Sequence, residues 1–452
     1  MKTIELSVAD MLSASGGEWL GDPALLQSRP ANIVTDSRDA SPGCLFIALK
    51  GERTDGHRYI PDVLSRGALA VLCSEGGLPG EPRIVTDDVM EALRRIAQYN
   101  RSRLSCPFIG VTGSVGKTTA KEMTASVLSA RFETFRTPGS LNGQVGLPVT
   151  LMQLRSGLEA AVVEMGVSLF GEMHRLSELV RPDHVVFTNI GDAHLEAFHD
   201  REGILLEKSH ILDFMHPGGT VFVNGDDPLL SSASFNRRTV RFGIGDHCDV
   251  RADEVSQTGN ENLSCRIIAG KESFPVHVPA YGTYMIYSVL AAAAVGMELG
   301  MTPDEIADGL SRYKTVGHRS RVVNTPRCTL IDDCYNANPT SNRAAIESML
   351  SFPGRKVCIL GDMREMGEAS EAVHREIGRY AADNGVSLLL TYGNEARYIS
   401  EGAGDIAIHY EDRSELLSDL KNRIFQGDVV LVKASHGPNF VDVVAEIEAL
   451  GV

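Results

Sequence analysis

The sequence predicts an α/β protein divided into about three domains, and three observations carry that reading. The chain has 452 residues, more than one ordinary hydrophobic core accommodates. A glycine-rich loop, Gly110-Val111-Thr112-Gly113-Ser114-Val115-Gly116-Lys117-Thr118-Thr119, joins an apolar, strand-like run to a helical one. From Thr329 onward, short apolar strands alternate with amphipathic helices, the pattern of a mostly parallel sheet covered on both faces.

Bulk properties narrow the function classes. Apolar content of 43% and charged content of 23% are those of a soluble globular protein. A net charge of −16 argues against a nucleic-acid partner, because binding a polyphosphate backbone needs a basic face. A single nucleotide held by one loop needs none. The eight cysteines form no Cys-x-x-Cys pair, which points away from a zinc knuckle or disulfide framework and toward a reducing compartment. The N-terminus MKTIELSVADML lacks a leader pattern, and no run reaches about 18 apolar residues. A cytoplasmic protein without membrane insertion is therefore expected.

In chain order, Ser7-Val8-Ala9-Asp10 reads as a capping box opening a short helix. Strands at Asn32–Arg38 and Gly43–Gly51, a helix near Ile60–Arg66 and a strand at Ala68–Cys73 complete a first unit, residues 1–85. Polar residues at its strand ends either bind a ligand or cap turns. The second unit, 86–316, opens with a helix over Asp87–Arg103, whose apolar positions Val89, Leu93, Ile96 and Ala97 recur at helical spacing. It continues through the loop strand Pro107–Val111, the helix Ala120–Leu128, a Gly/Pro-rich loop at 137–148, and strands ending at Glu164 and Phe187. A helix over Arg201–Phe214, a strand at Gly219–Val223, a β-rich stretch to Val278, an alanine-rich helix over Tyr281–Met297 and a Thr302-capped helix follow. The third unit, 317–452, has strands at Thr329–Asp332, Lys356–Leu360, Ser387–Thr391 and Asp428–Val432. Helices at Ser341–Ser351, Ala369–Asn384 and Asp412–Phe425 separate them. Its strand ends carry Asp333–Pro339, Gly361–Glu365 and Lys433–His436, three polar clusters on one sheet edge.

The central loop carries the clearest chemistry. Gly113 and Gly116 let backbone N–H groups of Ser114, Val115 and their neighbours approach an anion at a helix N-terminus. Lys117 adds a point charge, and the Thr118 hydroxyl, beside Thr119, can reach Mg²⁺. Glu164, ending a buried strand after such a loop, stands where a fold of this kind keeps an acid for the metal, unless it is an ordinary solvated strand end. His194, in the strand-end segment Thr188–Glu196, is a candidate ligand or a surface histidine. Lys208, taken alone, reads as a solvated helix face.

TGSVGKTT, VVEMG, NIGDAHLE, Lys208, IDDCYNANP and ILGDMREMGE together resemble the Mur ligases along essentially the whole chain. The closest likeness is to the branch that adds D-alanyl-D-alanine to UDP-N-acetylmuramoyl-tripeptide; TDSRDASPGCLFIALKGERTDGH looks like its UDP-binding region. The resemblance implies a UDP-substrate domain, a central P-loop ATPase domain and a C-terminal Rossmann-like domain that closes over the nucleotide and takes up the dipeptide. It implies an ATP- and Mg²⁺-dependent amide ligase, most simply a monomer, working through an acyl phosphate in peptidoglycan precursor synthesis. It further implies Lys117 on the β- and γ-phosphates, Thr118 and Glu164 on one magnesium, His194 on a second, and a carbamylated Lys208 as carboxylate ligand. Arg319 and Asp333 would contact the nucleotide. Asn142, Ser37 and Arg38 would face the UDP-substrate, and Asn336, Asn338, Lys433 and Ser435 the dipeptide. Two departures stand out: Gly282-Thr283-Tyr284-Met285-Ile286-Tyr287-Ser288 replaces the usual Gly-x-His…Asn at the adenine, and His436 stands where the relatives carry arginine. Two other readings stay open, a ligase for a different acid and amine, and a nucleotide-gated binding module without chemistry.

Overall fold

The computed structural model describes residues 4–51, 54–77, 81–259, 262–435 and 440–450. Three sheets organise them. The first has five strands, with Ile33–Val34, Leu45–Ile47, Ala70–Cys73 and Arg83–Val85 parallel and Glu18–Leu20 antiparallel at one edge. The expected capping box forms, Ser7 and Asp10 closing the N-terminus of the helix Val8–Ser15. The strand expected over Asn32–Arg38 stops at Val34, because the Asp36 side chain accepts from Arg38 N–H and turns the chain into a 3₁₀ segment, Ser37–Asp39.

The central sheet has nine strands, and Phe108–Thr112 lies in its interior between Ala160–Glu164 and His184–Phe187, all parallel. The register sets Val111 beside Glu164 and Thr112 beside Phe187. The glycine loop, Glu164 and the segment after Phe187 therefore leave the sheet on one edge. The strand order reverses at this point, where open α/β sheets bind ligands. Beyond Val250–Thr258 the sheet turns antiparallel through Asn262–Ala269 and Glu272–Val278.

One face of this sheet carries the helices Lys117–Leu128, Ile286–Glu298 and Pro303–Ser311 around a run of buried alanines, Ala291 to Ala294. On the other face the helix Val89–Ser102 packs, and its core is continuous with Leu45, Leu72 and Ile84 of the first sheet. That helix is thus shared between two layers of structure.

The third sheet has six strands, in the order Arg321–Asn324, Cys328–Asp332, Asp428–Lys433, Lys356–Gly361, Leu388–Tyr392, Ala407–Tyr410; the first pair is antiparallel and the rest are parallel. Ile359 pairs with Val432 and Leu360 with Lys433, while Asp332 also pairs with Val432. The described residues of the three polar clusters consequently meet at one edge.

Several expectations are corrected. The 137–148 segment is not wholly irregular: a helix runs over Gly146–Met152 with Pro148 in its first turn, where no intrahelical N–H bond is required. The helix expected over Arg201–Phe214 ends at Ser209 and tightens into a 3₁₀ turn, His210–Leu212. The alanine-rich helix begins at Ile286, after a 3₁₀ turn over Thr283–Met285. No helix among the described residues is long and apolar enough to cross a membrane.

Candidate functional site

A cleft of about 850 Å³ lies where the central and third sheets face each other. Its floor is the glycine loop. Gly113 (φ 143°) passes so close to the Thr188 hydroxyl that an added Cβ would stand 2.0 Å from it. Gly116 (φ 79°) starts the helix Lys117–Leu128 in the left-handed region that glycine tolerates. The loop is tied down from the neighbouring strand end: Ser114 N–H donates to the Asn189 carbonyl at 2.9 Å, Ser114 Oγ to the Gly191 carbonyl at 3.0 Å, and Val115 N–H to Asn189 Oδ1 at 3.0 Å. No side chain caps the helix, so its first N–H groups face the cleft. Lys117 bends back over the loop, donating to the Gly113 and Ser114 carbonyls at 2.8 and 3.2 Å. Thr118 and Thr119 line the same wall.

Glu164 is almost fully buried, and Asn142 Nδ2 donates to its Oε1 at 2.6 Å. Its Oε2 has no hydrogen-bond partner. Behind it lies a residue that sequence reasoning missed. Lys121 is completely buried; its Nζ donates to the Thr137 and Gly139 carbonyls at 2.7 and 2.9 Å and lies 2.9 Å from Glu122 and 3.7 Å from Glu164 Oε2. It ties the loop helix to the 137–142 segment that carries Asn142. A lysine four positions after Lys117 reads locally as a solvated face, and no signal in the sequence marks it.

Lys208 does not line the cleft wall, but it is no surface residue: it is 1% exposed. Burial, together with the nearby Lys117 cation, pushes its amine well below the usual lysine range, against the pull of Glu207. Glu207 in turn is fixed by the Gly171 and Met173 N–H groups. Lys117 is likewise lowered, chiefly by burial and also by Arg319, while Glu164 acts to raise it. His194 lines the cleft and is met by Glu365 from the third sheet's strand-end cluster 361–365, a pairing that the sequence does not show.

The third sheet supplies the opposite wall. Arg319 donates to Ser140 Oγ at 2.9 Å and lies over the Tyr335 ring at 3.7 Å. Asp333 accepts from Ser320 N–H at 3.0 Å and pairs with Lys433 at 2.5 Å. Asn336 and Asn338 also reach the cleft, although Asn338 Oδ1 is engaged as a helix cap by Ser341 N–H. Tyr284 and Ser288 line the far end, Tyr284 donating to Ser320 Oγ at 2.5 Å.

Other expected site residues lie elsewhere. Ser435 is buried and does not line the cleft; its hydroxyl donates to the Ala337 carbonyl and accepts from Arg364 N–H, tying two strand-end loops together. Ser37 and Arg38 do not line the cleft either, and Arg38 is paired with Asp36 on the surface of the first sheet. His436 lies outside the described residues.

The donor set fits a nucleotide triphosphate with a hard divalent cation: a partnerless carboxylate oxygen, a threonine hydroxyl and an imidazole stand around one anion-binding helix terminus.

Comparison with known proteins identifies relatives of the chain. Residues 30–101, 111–296 and 318–436 match, respectively, the Mur ligase catalytic domain, the Mur ligase middle domain and the Mur ligase glutamate ligase domain. The chain is 35% identical over 453 residues to the UDP-N-acetylmuramoyl-tripeptide–D-alanyl-D-alanine ligase of Bacillus subtilis (strain 168), covering 98% of this chain and 97% of that protein. The crystal structure of MurF from Acinetobacter baumannii superposes with a TM-score of 0.90 at 29% identity, covering 99% of each chain. The MurF ligase of Thermotoga maritima in complex with ADP superposes with a TM-score of 0.82 at 30% identity, covering 92% of this chain and 97% of that one.

Proposed function

Since the chain belongs to the Mur ligase family, we infer that it joins D-alanyl-D-alanine to UDP-N-acetylmuramoyl-tripeptide at the expense of ATP, a step of peptidoglycan precursor synthesis. The observation that carries the reading is the meeting of Lys117, Thr118, Glu164 and His194 with Arg319, Asp333 and Lys433 in one cleft between two sheets.

A carboxylate is a poor electrophile at neutral pH. Transfer of the γ-phosphoryl group to the peptide's terminal carboxylate converts it to an acyl phosphate; the dipeptide amine then attacks the acyl carbon, and phosphate leaves. Two anions have to meet in the first step, so positioning and charge neutralisation dominate. Loop N–H groups and Lys117 hold the phosphates. Arg319 and Asp333, reaching in from the third domain, hold the rest of the nucleotide. Asn142 presents the acceptor peptide while steadying Glu164. Asn336, Asn338 and Lys433 face the incoming dipeptide; Ser435 acts through the loops it joins, and Ser37 and Arg38 bind the UDP moiety on the first domain, away from the cleft.

Mg²⁺, bound by Thr118, Glu164, His194 and Lys208, would supply the positive charge that lets the two anions approach. An ammonium cannot ligate a cation. The depressed basicity of Lys208 leaves a larger fraction of its amine neutral, the form that takes up CO₂ and becomes a carboxylate. We set the domain boundaries at 1–85, 86–316 and 317–452. We place the reaction in the cytoplasm, a reading that eight unpaired cysteines support, and read the chain as a monomer because its own domains complete the cleft.

The test is direct. Protein incubated with ATP, Mg²⁺, UDP-MurNAc-tripeptide and D-Ala-D-Ala should yield the pentapeptide by mass, with ADP and phosphate in equal amounts. ATP turnover with neither acid nor amine required would overturn the assignment.

A further inference from the structure

Two residues held in left-handed backbone conformation meet across the cleft. His194 (φ 58°) follows the central strand His184–Phe187, and Glu365 (φ 63°) follows Lys356–Gly361 of the third sheet. The Glu365 carboxylate pairs with Nδ1 of His194, and its main-chain carbonyl accepts Glu196 N–H at 3.3 Å. The next turn, at Gly367, packs on Glu196. Left-handed backbone costs a non-glycine residue roughly 1–2 kcal/mol, so it persists where surrounding contacts over-determine it. Here the cross-cleft contacts add to a local one, the His194 carbonyl accepting Ala197 and Phe198 N–H at 3.0 and 3.1 Å. The contact is an ion pair without an aligned hydrogen bond in this arrangement; an imidazole whose Nδ1–H turned onto that carboxylate would offer Nε2 as its single lone pair, in a fixed ring orientation.

We propose that Glu365 is a positioning residue: reaching over from the third domain, it sets the tautomer and ring orientation of His194, so that the cation site containing His194 is complete only when the two domains are closed. The proposal rests on the reading of His194 as a cation ligand. It gives domain closure a chemical consequence beyond excluding water, because an open molecule lacks the orienting carboxylate.

The experiment compares full-length wild type, Glu365→Ala and Glu365→Gln, each with a non-hydrolysable ATP analogue and Mn²⁺ as probe. Bound Mn²⁺ is counted by electron paramagnetic resonance. In Glu365→Ala the weaker Mn²⁺ should bind about 10- to 100-fold less tightly, with kcat falling in step. KM for ATP should stay within about twofold. Glu365→Gln, whose amide oxygen still accepts Nδ1–H, should recover part of the loss. Wild-type Mn²⁺ affinity in Glu365→Ala would overturn the proposal while leaving the two-cation reading intact. A wild type that binds a single Mn²⁺ would overturn both.

A different observation points to a second site. On the outer surface of the central domain, His174 Nδ1 and His210 Nδ1 converge on one oxygen of Asp213, at 2.6 and 3.0 Å. The three donor atoms lie within 4.8 Å of one another. The scaffold is rigid: the buried Ser177 hydroxyl donates to the Ile211 carbonyl at 2.7 Å and accepts Phe214 N–H at 3.1 Å, joining the two elements that carry the histidines. Ligand atoms on a tetrahedral metal with bonds of about 2.0–2.1 Å are about 3.3 Å apart; the two imidazoles sit at hydrogen-bond distance from the Asp213 oxygen, so small side-chain rotations that open those contacts by a few tenths of an ångström would admit an ion. The geometry points to a site for a late first-row divalent cation such as Zn²⁺, held by two imidazoles and a carboxylate. Bound metal would clamp the helix Glu172–Val180 to the turn that follows Lys208. Calorimetric titration with ZnCl₂ in saturating Mg²⁺ should find one equivalent bound and a raised unfolding temperature. The double variant His174→Ala/His210→Ala should lose affinity by about tenfold or more. Zinc binding that persists unchanged in the double variant, or its absence from wild type, would overturn the site.

Discussion

Lys121 offers the sharpest test of how the cleft is built. In Lys121→Met the chain keeps a side chain of similar reach but removes the ammonium that donates to the Thr137 and Gly139 carbonyls and forms ion pairs with Glu122 and Glu164. Glu122 retains Arg136 at 2.8 Å. Glu164 Oε2 and the two carbonyls retain less, and Glu164 is 1% exposed, so water cannot readily replace the lost cation. Breaking a buried ion pair by removing one partner costs about 3–5 kcal/mol, a large share of a domain's total of roughly 5–15 kcal/mol. At about 2–4 °C per kcal/mol for a domain of this size, the unfolding temperature should fall by about 6–20 °C. Scanning calorimetry reads that number. Limited proteolysis should show the 137–145 segment cut faster, because it loses its anchor to the loop helix, and KM for the UDP-substrate should rise as Asn142 shifts. An unfolding temperature within about 2 °C of wild type, with the segment equally protected, would refute the argument.

Lys117→Ala should fold, with unfolding free energy within about 1 kcal/mol of wild type, yet lose ligation by about 100-fold or more; substantial pentapeptide formation would contradict its role at the phosphates. Lys208→Ala should be inactive and regain part of its activity with a short carboxylic acid such as propionate, measured as product by mass; ligation by the variant at the wild-type rate without additive would contradict the carboxylate role. His374 gives a pH prediction. It is fully buried, its Nε2 accepts Met363 N–H at 2.9 Å and its Nδ1 donates to the Ser370 carbonyl at 2.7 Å, so the bonded form is neutral. Burial holds its pKa below the usual 6.5. As pH falls below 6.5 the unfolded chain takes up a proton that the folded chain refuses, and stability is lost at up to about 1.4 kcal/mol per pH unit until the folded pKa is reached. Above 6.5 the contribution is constant. The stability of His374→Gln should therefore fall less than that of wild type between pH 7 and 5, followed by urea unfolding; parallel curves would sink the assignment.

The interior strands were legible because each is a continuous apolar run that ends on a polar or glycine signal, as at Phe108–Thr112, Ala160–Glu164 and Asp428–Lys433. Elements that carry less burial were not. Glu18–Leu20 and Arg321–Asn324 contain no buried residue and pair at sheet edges, so nothing in their pattern separates them from loop. The helix Glu172–Val180 begins at a left-handed Gly171 and takes its capping from Glu207, far along the chain, so no local start signal announces it.

The site divides along the same physical line. Residues that act through backbone geometry next to them in sequence, the glycine loop above all, were readable because the chemistry and the turn share one motif. Residues whose role depends on distant partners were not: Lys121 acquires meaning only when the sheet register brings Glu164 to it, and Ser435, expected at the substrate, is buried as a tie between loops. These distant contacts form a connected path. Arg319 of the third domain holds Ser140, two residues from Asn142; Asn142 holds Glu164; and Lys121 braces both Glu164 and the segment carrying Ser140 and Asn142. Glu365 reaches the other side of the site at His194. Closing the third domain over a nucleotide would therefore act on two of the candidate cation ligands, Glu164 and His194, from two different loops. An enzyme whose first step brings two anions together gains from that arrangement, because the charge needed to join them is fully organised only after both substrates are enclosed.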